Sequence, residues 1–357
     1  MADKITRVFQ GNNAIPIVFS SNQDFVPVLS VMLQSIIEQS TKSHNYDVII
    51  LTKDIDHTYE DRLHSMLAEY ENFSLRVIDV SECFERYTLY VANRPDITVE
   101  TYFRLVIPEL MTEYDKVLYL DGDMIANADV ADLFEFDLRG RMVAACVDCD
   151  SIGHCHHGDV SLKEYREDIL KLKDMNSYFC AGVLLMDLTR FRKAFNSEQL
   201  LELAASYDWK QHDQDVLNMV CNQDVKLLPV AWDLLRDAGS NQYMPEDLYE
   251  EFLAAERDPK IIHYGGRRKP WIYFDVERGE YFWRYAGKTP FYREILSMVN
   301  DANTARMIIP RGNAYELVNE QQAKEVVLRQ FVNGKIGFRF IWRYFKAWLS
   351  YKLKRKK

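Results

Sequence analysis

The sequence predicts an α/β fold built on a mostly parallel central sheet. Three observations carry this expectation. Short runs of strand-forming apolar residues alternate with amphipathic helical patterns along the first third of the chain. One later run, "KVLYLDGDMIAN" at residues 116–127, ends abruptly in two acids. The carboxyl ends of strands are where open α/β sheets hold ligands. The 357-residue chain is also 48% hydrophobic and 27% charged, ample for a large core.

The elements follow in order. "AIPIVFSS" reads as the first strand, with a helix over residues 25–39. "YDVIILT" is the second strand, residues 59–70 the second helix and "FSLRVIDV" the third strand. A polar, irregular stretch occupies residues 83–97. "TVETYFRLVIPELM" then reads as a helix capped by Thr98. Strands are expected at residues 116–121, 141–147 and 179–186, helices at 198–207, 213–221 and 246–256, and a short strand in "KIIHYGG".

From residue 291 the texture changes, and residues 314–330 read as helical. Residues 331–357 carry nine Lys or Arg and no acid, so the rest of the chain carries −10 − 9 = −19. On a helix, Arg339, Arg343, Lys346 and Lys354 share one face opposite Ile341, Phe345, Trp348 and Leu349. A cationic face opposed to an aromatic and apolar one predicts association with an anionic membrane surface, with a helix docked on the body by its apolar side as the alternative. The acidic body argues against nucleic acid as a partner. No signal-peptide core and no apolar run of about 18 residues is visible, so the expected location is the cytoplasm. With the tail, that becomes the inner face of the cell membrane. The six cysteines then read as reduced thiols. "CVDCDSIGHCHH" raises zinc binding, but Cys146 closes an apparent buried strand, which argues against it.

Four stretches carry the chemistry. Asp121 and Asp123, two apart at a strand end, would face the same side and pinch a hard divalent cation. An EF-hand loop is excluded because Ile125 and Asp132 stand at its fifth and twelfth positions. A phosphatase using an aspartyl nucleophile fits poorly, with Ile125 in place of its Thr or Val. "HYGGRRKPW" offers His263 as an imidazole ligand, Gly265 and Gly266 for close approach of a phosphate, and Lys269 as a positive charge. "YFCAGVLLMDL" opens a strand on the small residues Ala181 and Gly182, leaving room for a ligand. "HDQDVLN" opens a helix with Asp213, Gln214 and Asp215, of which one acid is expected only to cap it.

Taken in this order, the four stretches resemble glycosyltransferase family 8, which includes bacterial lipopolysaccharide α-galactosyl- and α-glucosyltransferases and the glycogenins. The resemblance spans residues 14–275. It implies a nucleotide-diphospho-sugar transferase (GT-A) fold, with residues 1–290 as catalytic domain and 291–357 as C-terminal extension. It implies that Asp121, Asp123 and His263 bind Mn²⁺, with Mg²⁺ as substitute, bridging the diphosphate of a UDP-sugar. Gly122 would let the diphosphate come near, and Gly266 and Lys269 would hold it. Ala181 and Gly182 would line the donor site. Arg104 would lie near the donor sugar and phosphate. Asp148 and Asp213 would contact donor or acceptor sugar, and Gln214 would sit near the reacting anomeric carbon. Ser20, Asn22 and Asp24 would take the uracil and ribose. The chain departs from the family at Asn22, where an acid is usual, and at Cys180, where Asn is usual.

The expected activity is therefore retaining transfer of glucose or galactose from a UDP-hexose to a glycan or lipid-linked glycan. Glycogenin-like self-glucosylation and a silent carbohydrate- or membrane-binding protein are the alternatives.

Overall fold

The computed structural model describes residues 4–11, 13–91, 97–235, 240–273 and 275–308. The two expectations for the C-terminal tail, a helix over 314–330 and the basic amphipathic segment over 331–357, lie outside the described residues.

The strands are β1 (Ala14–Ser20), β2 (Asn45–Thr52), β3 (Phe73–Asp79), β4 (Lys116–Leu120), β5 (Met124–Ala126), β6 (Val143–Ala145), β7 (Val183–Asp187), β8 (Val225–Leu227), β9 (Leu234–Leu235) and β10 (Ile261–His263). Seven form the main sheet in the order β3-β2-β1-β4-β7-β6-β8. All its pairings are parallel except those of β7, which runs antiparallel to both β4 and β6. Side chains alternate between two buried faces: Val18, Ile49 and Tyr119 pack into one core, Phe19, Ile50 and Leu118 into the other. Burial on both faces explains why these strands read as nearly continuous apolar runs.

A second, three-stranded sheet has the order β5-β10-β9. It begins where the main sheet lets go of the chain. β4 stops at Leu120, residues 121–123 bend, and β5 resumes at Met124 in the other sheet. Asp121 and Asp123 therefore do not continue a strand, as the sequence suggested, but occupy a switch between sheets. The antiparallel pairing of β10 with β5 sets His263 opposite Met124. That register carries a histidine far along the chain back to the two aspartates.

Some helices are shorter or of another type than expected. Residues 98–111 do not form one α-helix. Val99–Leu105 is a 3-10 helix and Ile107–Leu110 a single α-turn, and Thr98 gives no side-chain cap bond. Pro108 lacks the N–H that would bond back to Arg104, so a continuous ladder fails there. The second helix, His57–Ser65, is capped by Asp56 and stops five residues early. The final described helix, Tyr292–Ile308, lies against the body: Ile295 packs in a core cluster with Val28 and Val31, and Arg62 holds Glu294 at 2.7 Å.

Candidate active site

Asp121, at the end of β4, is tied to the neighbouring strand by its backbone, which donates to Gly182 O at 2.8 Å. Its Oδ1 accepts from Arg104 Nη2 at 2.8 Å and from the Tyr119 hydroxyl at 3.0 Å. Arg104 is buried, lies 4.2 Å above the Tyr119 ring and also donates to Ala181 O. Its Nε is 2.9 Å from Asp213 Oδ2. A buried guanidinium thus sits between two carboxylates, where loss of any one partner leaves an uncompensated charge.

Asp123 lies across the bend. His263 Nε2 is 3.3 Å from its Oδ1, and Lys269 Nζ is 2.5 Å from its Oδ2. Lys269 also donates to Tyr264 O at 2.6 Å. Burial alone would raise the pKa of Asp123. Lys269 and His263 outweigh it and hold the carboxyl well below the usual carboxylate range. Ligand atoms of Asp121, Asp123 and His263 lie within 4.8 Å of one another. Two carboxylates and an imidazole suit Mn²⁺ or Mg²⁺. The Lys269 ammonium on Asp123 marks the same place as one that attracts positive charge.

His263 brings a residue that the sequence reading missed. Its Nδ1 is 2.8 Å from Asp233 Oδ1, and Asp233 is buried. A carboxylate behind a ligating histidine orients the ring and sets its tautomer. The signal was present in "VAWDLL", where an acid interrupts an apolar run and needs a buried partner. Burial alone would lower the pKa of His263, but Asp233 and Asp123 raise it well above its ordinary value.

The helix Asp213–Val220 explains the "HDQDVLN" cluster. Asp213 is not its N-cap; His212 holds that position, at φ 53° and without a side-chain cap bond. Asp213 accepts instead from the Thr101 hydroxyl. Its pKa is pushed up to about 6, chiefly by burial, with Arg104 pulling it back. Gln214 accepts from Ala181 N at 3.0 Å and donates to Asp148 Oδ2 at 2.8 Å, so its amide is held at both ends. Burial raises the pKa of Asp148, which also caps the Cys149–His156 helix through Ser151 N. Asp215 is structural: it accepts from the Tyr165 and Tyr178 hydroxyls, each at 2.7 Å. Asn218 clamps the backbone of Phe179 through both its N–H and its C=O.

A cavity of about 140 Å³ joins these groups. Arg104, Asp121, Cys180, Gly182, Asp213, Gln214 and His263 line it, together with Ala181 and Thr101. Gly182 is required there, because a Cβ would lie 2.6 Å from His263 Cε1 and from Met124 Cε. The room that Ala181 and Gly182 leave is therefore partly taken by the histidine. Gly122 meets a different constraint. Its Cβ position faces Phe25 Cε1 at 2.9 Å and Leu29, so its smallness serves packing on the helix Val26–Gln39. Gly266 has a left-handed φ of 71° in the turn leading to Lys269. Ser20 ends β1, and Asn22 and Asp24 stand in the following turn, where Asn22 Oδ1 accepts from Phe25 N at 3.0 Å and the Phe25 ring lies against Gly122.

The "CVDC…HCHH" run forms no metal centre among the described residues. Cys146 Sγ faces Pro229 O at 3.2 Å and Cys155 Sγ accepts from Arg166 Nη1 at 3.2 Å. No three of its Cys and His side chains bring ligand atoms together. All six cysteines are free thiols.

The family model described as "Glycosyl transferase family 8" matches residues 16–275. The chain belongs to glycosyltransferase family 8. Its fold is the GT-A fold. It is 29% identical over 279 residues to glycosyltransferase GlyF of Streptococcus pneumoniae serotype 4 (strain ATCC BAA-334 / TIGR4), covering 75% of this chain and 60% of that one. It is 27% identical over 177 residues to lipopolysaccharide 1,2-glucosyltransferase of Escherichia coli (strain K12), covering 48% of each. Among solved structures, the apo WbbM bifunctional glycosyltransferase matches at TM-score 0.74 and 27% identity, over 83% of this chain and 53% of that one. The galactosyltransferase LgtC, solved with donor and acceptor sugar analogs, matches at TM-score 0.63 and 23% identity, over 77% and 96%, and supports the fold. This family 8 chain thus spans 60% or less of the length of GlyF, the glucosyltransferase and WbbM.

Proposed function

We propose that the protein is a Mn²⁺-dependent, retaining hexosyltransferase. It takes glucose or galactose from a UDP-sugar and adds it to a surface glycan, on a lipopolysaccharide or other lipid-linked acceptor. The observation that carries this reading is the meeting of Asp121, Asp123 and His263 beside Lys269, at the edge of a polar cavity. The similarity to a lipopolysaccharide glucosyltransferase supports the acceptor class. Mg²⁺ is the alternative ion.

Bound by the two aspartates and His263, the cation would neutralise negative charge on the diphosphate as UDP leaves. The chain's own residues do the rest. Asp233 keeps Nε2 of His263 turned to Asp123. Lys269, which sits on Asp123, would offer its positive charge to the leaving phosphate, with Gly266 allowing the turn to approach. Arg104 holds Asp121 and Asp213 in place at the floor of the cavity. Gln214, fixed at both ends, presents an amide to the anomeric carbon. An amide is a weak nucleophile, so the acceptor attacks on the face from which UDP departs. The new C–O bond forms as the sugar–phosphate bond breaks, and the acceptor proton passes to a phosphate oxygen. Asp148 and Asp213 orient sugar hydroxyls, and Ser20, Asn22 and Asp24 hold the nucleoside end.

The test is a screen of UDP-sugars with and without Mn²⁺, read as UDP release. Release from UDP-glucose or UDP-galactose only with a divalent ion is expected. Failure to bind UDP or release it from any UDP-hexose would sink the reading.

A further inference from the structure

Behind the first ligand group lies a second one that shares its histidine. Cys180, Asp233 and His263 are all buried, with ligand atoms within 4.8 Å of one another. His263 Nδ1 is 2.8 Å from Asp233 Oδ1 and 3.9 Å from Cys180 Sγ. The other oxygen of this carboxylate, Asp233 Oδ2, has no hydrogen-bond partner, although Asp233 is only 2% exposed. Leaving a buried carboxylate oxygen unsatisfied is costly. A cation beside it would recover that cost. Thiolate, imidazole and carboxylate form a zinc-type donor set, softer than the first group. Cys180 and His263 both line the cavity, so an ion that enters it reaches them.

We propose that Cys180, Asp233 and His263 form a second, thiol-bearing cation site selective for a soft divalent ion such as Zn²⁺, whose occupancy excludes the cation at Asp121 and Asp123.

The exclusion follows from the imidazole. A neutral ring has one nitrogen lone pair to give. At the first site His263 gives Nε2 and keeps its proton on Nδ1, donated to Asp233. At the second site it gives Nδ1, and the proton moves to Nε2, which lies 3.3 Å from Asp123 Oδ1. One histidine therefore cannot serve both ions. Binding displaces the Cys180 thiol proton to solvent, and the thiolate and the Asp233 carboxylate balance the two charges of the ion. The exclusion rests on the proposed donor-site metal; the second site itself does not.

Co²⁺ serves as the spectroscopic probe. One equivalent added to the full-length protein should produce thiolate-to-cobalt charge-transfer absorption. The band should vanish in Cys180→Ser and persist in Cys83→Ser. Asp233→Asn, which keeps a hydrogen-bond acceptor for His263, should weaken Zn²⁺ at least tenfold in competition with a chromophoric chelator. Zn²⁺ should also inhibit UDP release at half-saturating Mn²⁺, with relief by excess Mn²⁺ and at least tenfold less potency against Cys180→Ser. Absence of the charge-transfer band, or a band that survives Cys180→Ser, overturns the site. A Cys180-dependent band without inhibition by Zn²⁺ overturns the exclusion, and with it the first site's claim on His263, while leaving the second site standing.

Discussion

Asp123 stands between an ammonium and an imidazole. Asp123→Asn keeps an acceptor for Lys269 but removes the charge. UDP release should fall by about two to three orders of magnitude with the far-UV circular dichroism unchanged. Asp213 behaves in the opposite sense. Burial pushes its pKa up to about 6 from an ordinary 3.8, so between those values the folded chain holds a proton that the unfolded chain has lost. Asp213 therefore costs stability above pH 6, on the order of 2–3 kcal/mol, and the cost fades as pH falls toward 4. Asp213→Asn should lose part of the wild-type gain in urea midpoint between pH 7 and pH 5. At this scale the sequence exposed those side chains whose chemistry announces itself. Asp121, Asp123, His263 and Lys269 stand at a strand end or beside glycines, where acids and bases are conspicuous. Asp233 escaped because it touches only another side chain, and nothing local specifies that neighbour. Gly122 has a packing role that the sequence did not reveal, since its Cβ position faces Phe25 and Leu29.

Elements were legible where one period ruled. β1, β2 and β4 are buried on both faces and the helix Val26–Gln39 on nearly every side, and their unbroken apolar runs of strand or helix length state as much. The stretch at 98–111 was not legible, since its apolar residues suit a helix while Pro108 and an uncapped Thr98 do not. The second sheet was harder still. β5, β9 and β10 are three residues long or fewer, too short to show a period, and only long-range pairing defines them. That pairing sets the site. Gly182 heads β7 beside β4 and leaves the His263 ring its place. Gly182→Ala should push the ring away and lower Mn²⁺ affinity by about 10- to 100-fold, measured by paramagnetic resonance titration of free Mn²⁺. An unchanged affinity would remove His263 from the ligand set.

On the scale of the whole molecule, charge is divided sharply, with −19 over residues 1–330 and +9 over the last 27. We propose that the basic segment brings the enzyme to anionic lipid while the acidic body stays clear of it. Among the described residues no helix is long and apolar enough to cross a membrane. Deleting residues 331–357 should weaken sedimentation with anionic vesicles and leave UDP release to a soluble acceptor intact. Undiminished vesicle binding would assign the lipid contact elsewhere.

The switch between sheets also has a consequence in time. Lys269 follows Asp123 by 146 positions. A ribosome adding about 5–20 residues per second takes roughly 7 to 30 s to pass from one to the other. During that interval the nascent chain carries its aspartate pair with no imidazole or ammonium to complete it. Chains cut before β10 should bind no donor, however well their earlier strands assemble. On the proposed function, competence would come late and all at once, with the docking of β10 and the turn after it, and an unfinished chain would leave sugar nucleotides untouched.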